Sequence, residues 1–287
     1  MPARPPLWRL PLLMSAGLLL ALGSGLAAMA WLHAVSPAGN GSPAAEGRLP
    51  PLPVPAESVA SVPWVAVVVL GVGLAEASTQ AALALPPAIG LAFSPYARRL
   101  DEWRAQAKAG GHELWVELPL EPADPSRADA GERVLRPRQD EAVRLAGLDW
   151  ALGRLPDATG VVAAPGAFAR QPSAFAPLAR AMAARGLRFV ELGGGQLQAV
   201  AADAGAGHAL AEVALDAGAG PEAMDGALDE LAGQADRRGG AVAHVYADPS
   251  TLARLAAWVH RVGDRGLRLV PLGEVVAKPA GNGSDAG

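Results

Sequence analysis

The chain has 287 residues, half of them apolar, a formal charge of −4 and no cysteine. Disulfides, thiolate metal sites and a cysteine nucleophile are therefore excluded, and so mild a charge gives no electrostatic reason to expect nucleic acid as a partner. Aromatic residues are scarce at 5%, so the core must be built from small aliphatic side chains, and a metal would have to be held by Asp, Glu or one of only five histidines.

The first element is Leu10 to Leu32, "LPLLMSAGLLLALGSGLAAMAWL", 23 residues without a charge, preceded by Arg4 and Arg9. About 20 apolar residues span a bilayer core as a helix, and the upstream arginines favour a cytoplasmic N-terminus for residues 1–9. The sequence thus predicts a single-pass inner-membrane anchor over 10–32 with the rest on the periplasmic side. The alternative is a cleaved signal peptide releasing the chain to the periplasm, since "AMA" at Ala28–Ala30 has the small residues of a cleavage site. Residues 36–63 follow, with seven prolines in 28 positions; such a stretch reads as an extended spacer.

From Trp64 to residue 276 the texture is that of a folded domain. Short β-rich runs are expected at 64–70, 89–93, 113–118, 160–164, 187–192, 211–215, 241–246 and 267–270. Helical stretches separate them at 75–84, 98–109, 139–155, 172–185, 221–238 and 249–265. Asp140-Glu141 and Asp248-Pro249 carry helix-start signals. Gly110, Gly186 and Gly266 follow helical runs, where a left-handed cap is wanted. Strict β/α alternation argues for an α/β fold with a parallel sheet, open or closed into a barrel. The tail, 277–287, reads as disordered.

Several motifs bear on chemistry. "VAVVVLGVGL" (65–74) ends in Gly71-Val72-Gly73, but a dinucleotide turn wants a third glycine where Glu76 stands, and an acid after the second strand that is lacking. Glu113, Glu117 and Glu121 recur at intervals of four. On a strand Glu113 and Glu117 share a face with Trp115, and Glu117 falls at the C-terminal end, where β/α barrels keep their functional groups. His244 lies in an apolar strand, on one face with Val242 and Tyr246. "ELGGGQLQ" (191–198) is a Gly-rich turn after a strand. No local His metal motif and no G-x-S-x-G elbow occur.

The order of segments from Trp64 to Gly273 resembles the divergent polysaccharide deacetylases. The resemblance is carried by "TQAALALPPAIGLAFSPYARRLDEWRAQAKAGGHELWVELPLEPADPSRADAG" (79–131), "LDWALGRLPDATGVV", "APLARAMAARGLRFVEL", "AVAHVYADPSTLARLAAW" and "RGLRLVPL". It implies a deformed parallel β/α barrel, related to esterases that remove N-acetyl groups from glycans with a divalent metal such as zinc. In that chemistry Asp and His hold the ion and a carboxylate acts as base. The motif positions depart from the family. Leu70-Gly71 stands for its paired aspartates, Glu117 and Ala164 for two histidines, and Glu191-Leu192-Gly193 for an Asp-Ser-Arg turn. Tyr246 stands for a third histidine, while Asp216 matches an acidic position. The resemblance therefore implies an envelope protein that has lost its metal, with no cofactor, binding a cell-envelope glycan or acting as a scaffold. The alternative is an active glycan N-deacetylase with a carboxylate-rich site drawn from Glu117, Glu191 and Asp216, with His244 at hand.

The anchor makes a direct prediction. N-terminal sequencing of the mature protein returns a chain that retains residues 10–32; a new start at Trp31 would replace the anchor by a cleaved signal.

Overall fold

Strand β1 (Trp64–Val72) shows how the sheet is built in this computed structural model, which describes residues 62–126, 130–215 and 220–276. Its valines suit a pleated surface, and both of its faces are buried, as in strands covered by helices on one side and enclosed on the other. Val65, Val67, Val69 and Val72 join a large cluster that includes the helices, while Ala66, Val68 and Leu70 join a smaller one made of the opposite strand faces. The apolar stretch 10–32, spacer residues 36–61, Asp216 and the tail 277–287 lie outside the described residues. Among the described residues no helix is long and apolar enough to cross a membrane.

The remaining elements alternate. They are α1 (Glu76–Leu83), β2 (Gly90–Phe93), α2 (Leu100–Ala109), β3 (Leu114–Glu117), α3 (Glu141–Arg154), β4 (Gly160–Ala163), α4 (Ala176–Ala184), β5 (Arg188–Leu192), α5 (Gln198–Asp203), β6 (Gly207–Ala211) and β7 (Val213–Ala214). Then come α6 (Pro221–Arg238), β8 (Gly240–Tyr246), α7 (Pro249–Val259), β9 (Arg268–Leu269) and α8 (Leu272–Val275). All strand pairings are parallel, in the order β6-β5-β4-β3-β2-β1-β8-β7. Only Glu212 separates β6 from β7, so the two ends of that order are joined by one residue and the sheet curls into a nearly closed barrel. Strand β8 occupies one edge of β1 from Trp64 to Leu70, so β9 pairs with Trp64 and Val65 on the other edge, below β2.

The lumen is filled by the smaller cluster, in which Trp115 of β3 is the largest side chain. Room for the indole comes from two neighbouring strands. A Cβ on Gly90 would lie 3.2 Å from its Nε1, and one on Gly160 would lie 2.6 Å from its ring and collide with the Arg188 carbonyl. Helix α8 closes the N-terminal end: Leu272 enters the inner cluster, and the Gly273 N–H donates to Glu113 at 2.8 Å.

Differences from the sequence reading have local causes. The strand expected at 211–215 is two short ones, because the chain must leave β5 and reach β8 across the seam. The helix expected from 172 starts at Ala176, after two 3₁₀ turns; Pro177 has no N–H to give to an earlier carbonyl, so an α-turn from Ser173 cannot form. The last long helix ends at Val259 and Gly263–Arg265 forms a 3₁₀ turn. Gly186 and Gly266 are left-handed as expected, but Gly110 is right-handed at φ −76° and Gly111 takes the left-handed role at 78°. Asp248 caps α7 by accepting from the Ser250 and Thr251 N–H groups, whereas Asp140 makes no side-chain cap.

The glycine at the barrel wall is testable. Gly160→Ala forces Trp115 or the β5 backbone to move, and overpacking of this kind costs about 1–3 kcal/mol. A chemical denaturation midpoint lowered by that amount is expected; an unchanged midpoint would show that the wall yields freely.

Candidate functional site

The inward face of β3 is a column running along the barrel. Glu113 lies at the end sealed by α8, Trp115 fills the middle, and Glu117 emerges at the open C-terminal end. There a cleft of about 490 Å³ opens over the strand ends. Its walls come from Leu70 and Gly71 of β1, Ser94 and Tyr96 after β2, and Glu117 to Leu120 of β3 and its loop. Val162, Ala163 and Ala164 follow from β4 and its loop, Leu192 from β5 and Tyr246 from β8. Of the strand-end motif positions named above, Leu70, Gly71, Glu117, Ala164, Leu192 and Tyr246 line the cleft, whereas Glu191 and Gly193 do not.

Glu117 is the single charged side chain among the described lining residues. Its Oε1 accepts the Gly71 N–H, and no cation lies within ion-pair reach of it among the described residues. Gly71 can present that N–H because its φ of 72° is open to glycine at little cost. Burial among Leu70, Val162 and Leu192 disfavours the charged form and raises the carboxyl to about 7, with the Gly71 hydrogen bond working the other way. Tyr246 is 66% exposed at the rim, and its phenol is raised by burial of part of the ring and by the Glu117 charge. Leu74 is also exposed there, at 62%.

The Gly-Val-Gly turn is a brace. The Gly71 amide is taken by Glu117, and the Gly73 amide donates to Thr79 Oγ1 at 2.9 Å. A Cβ on Gly73 would lie 2.6 Å from that of Ala97. These amides are committed to the protein's own side chains, so the turn does not cradle a phosphate.

The other acids do not join Glu117. Glu191 follows Val190 and precedes Leu192, both of the lumen cluster, so alternation sends its carboxylate out of the barrel. It is fully buried there, accepting the Leu197 N–H at 3.0 Å and bonded to His208 Nε2 at 3.0 Å. Its work is to tie down the Gly-rich turn, and the expectation that it shares a site with Glu117 is corrected. Asp216 lies outside the described residues. His244 shares its face with Val242 and Tyr246 as the sequence suggested, but its Nδ1 is 3.2 Å from the Ala211 carbonyl at the seam, outside the cleft lining. Burial lowers its pKa, with the Ala211 contact opposing. Beyond β3, Glu121 is held by Arg138 at 3.0 Å and Arg136 at 3.4 Å, which fixes the loop bearing Leu120 and Pro122.

Tyr96 was missed as a site residue. It had a signal: the chain has only two tyrosines, and both line this cleft. The Tyr96 ring stacks at a tilt on Trp150, 5.2 Å between centroids, and its hydroxyl accepts the Arg133 N–H.

A catalytic divalent ion of the zinc type takes about three protein ligands and keeps one position open. The cleft supplies one carboxylate, already engaged by Gly71, and the hydroxyls of Ser94, Tyr96 and Tyr246. Among the described residues no three His, Asp or Glu side chains come together. This donor set does not fit the metal that the barrel type implies.

The fold and the place of the cleft define a parallel β/α barrel of the carbohydrate-deacetylase type. Residues 67–276 match the model of the divergent polysaccharide deacetylases, and the chain belongs to that family. A crystal structure of an uncharacterized protein from Agrobacterium tumefaciens C58 is similar, with 29% identity and a TM-score of 0.71 over 76% of this chain and 91% of that one. No curated protein matches.

The carboxyl at the cleft floor sets a pH dependence. A glutamate of ordinary pKa 4.5 unfolded and about 7 folded holds a proton in the fold that the unfolded chain has released. Stability therefore falls as pH rises from about 4.5 to about 7, by about 3 kcal/mol, and the loss persists above. Denaturation of the protein and of Glu117→Gln at pH 4 and pH 8 should show the variant gaining on the parent at pH 8 and little at pH 4. An equal offset at both pH values would place the Glu117 carboxyl in water.

Proposed function

We propose that this protein is a catalytically degenerate member of its family, held in the cell envelope by the 10–32 segment, where its barrel binds a periplasmic glycan or scaffolds its processing. One observation carries the reading. The cleft that the barrel offers is walled by Leu70, Leu118, Leu120, Leu192, two tyrosines and a single carboxyl. A sugar ring has apolar C–H faces and a polar edge. The exposed Tyr246 ring and Leu74 at the rim suit the faces, and a few placed polar groups suit the edge. Amide hydrolysis needs more: a polarised carbonyl, an activated water and a proton donor for the amine. Glu117 alone can serve one of these roles.

The second reading, an active deacetylase, draws on the Glu117 carboxyl near pH 7, the range in which a group can both take and give a proton. One assay separates the two. The purified protein should bind a partly N-acetylated glucosamine hexamer and release no acetate from it with zinc, cobalt or nickel added. Tyr246→Ala should weaken binding about tenfold, a loss of about 1.4 kcal/mol. Sustained release of acetate that stops in Glu117→Gln would establish the second reading instead.

A further inference from the structure

The three glutamates of the β3 region are treated differently by their surroundings. Glu113 takes the Gly273 N–H at the sealed end, and Glu121 is clasped by Arg136 and Arg138. Glu117, between them, has one backbone N–H and faces a cleft with no Lys, Arg or His among its described lining residues. A carboxylate set into apolar walls without a counter-ion is costly unless something charged pairs with it. Among the other lining residues are Tyr96 and Tyr246, and tyrosine ring faces attract cations at distances up to about 6 Å. Of the two, Tyr246 is the exposed one.

We infer that the cleft is selective for a ligand carrying a primary ammonium group, an amino sugar with its nitrogen free instead of acetylated, whose charge pairs with Glu117 beneath the Tyr246 ring. This rests on the glycan-binding reading and names which glycan. The selection is by charge. An N-acetyl group brings a neutral amide and a methyl to the floor and leaves the carboxyl unpaired; an ammonium supplies donors for the carboxylate oxygen that Gly71 does not engage. The titratable groups facing this position from the packed elements are Glu117 on β3, Tyr96 after β2 and Tyr246 on β8, so the ammonium meets no competing cation among the described residues. On this inference the barrel recognises the product side of deacetylation, a polymer from which acetyl groups have already been removed.

The test is calorimetric titration at pH 6.5 with two probes, a glucosamine trimer and an N-acetylglucosamine trimer. The amine form should bind about tenfold or more tightly, and its affinity should fall as salt is raised. Glu117→Gln, which keeps the side-chain shape and an acceptor for Gly71, should bring the two probes to within about twofold. Equal or tighter binding of the acetylated trimer, or a preference that survives Glu117→Gln, overturns the inference and leaves the glycan reading standing. Binding of neither trimer overturns both. Melting curves of the variant establish that it is folded when the comparison is made.

Discussion

A narrow ring of parallel strands has to fill its own lumen, and here one indole does most of that. Trp115 sits midway along β3, with Gly90 and Gly160 giving it space on the neighbouring strands. Strand period then fixes the rest. Two residues either way along the inward face, Glu113 and Glu117 must fall at the two mouths of the barrel. Helix α8 seals one mouth through Leu272 and the Gly273–Glu113 hydrogen bond. The other mouth stays open, and the carboxyl it displays is Glu117. Where the cleft lies, and which acid stands in it, follow from packing one tryptophan.

The same packing governs the chemistry of that acid. The inner cluster continues upward through Leu70, Val162 and Leu192 to the strand ends, so Glu117 rises out of an apolar floor. Burial and the Gly71 amide act on it in opposite directions. The amide is available because the chain turns left-handed at Gly71 as it leaves β1. A side chain at that position would strain the turn and weaken the one interaction favouring the charged carboxyl. The glycines of this turn thus hold Glu117 and the start of α1.

Much of this was legible in the sequence, for reasons that can be named. The β-rich valine run of β1, the Asp248-Pro249 helix start and the shared face of Glu113, Trp115 and Glu117 are local properties, and local rules carry them. The seam was not legible. Splitting 207–215 into β6 and β7 at Glu212 is required by ring closure, which no window of sequence contains. Glu191 was placed wrongly for a related reason. A motif correspondence matched it to an acidic turn, but its parity along β5 sends it outward while Leu192 takes the cleft. Parity along β5, the rule that places Glu113 and Glu117 on one face of β3, separates the two acids. Tyr96 lies in an irregular loop, where periodicity says nothing; its only trace was the scarcity of tyrosine.

Register explains why the cleft's character is hard to change piecemeal. Leu70 of β1 is paired with Tyr246 of β8, and Glu117 of β3 with Val162 of β4. These lining residues therefore have a ladder neighbour as close company. A carboxylate placed at Leu70 alone would enter a position 1% exposed, beside Val68 and the Tyr246 ring, with no partner for its charge. Burying a lone charge costs several kcal/mol, a large share of the about 5–15 kcal/mol that holds a domain folded. The cost disappears only if a metal and its other ligands arrive together. An apolar cleft with one carboxyl is thus a self-consistent state of the barrel, because each single step towards a metal site is opposed by the packing that positions Glu117.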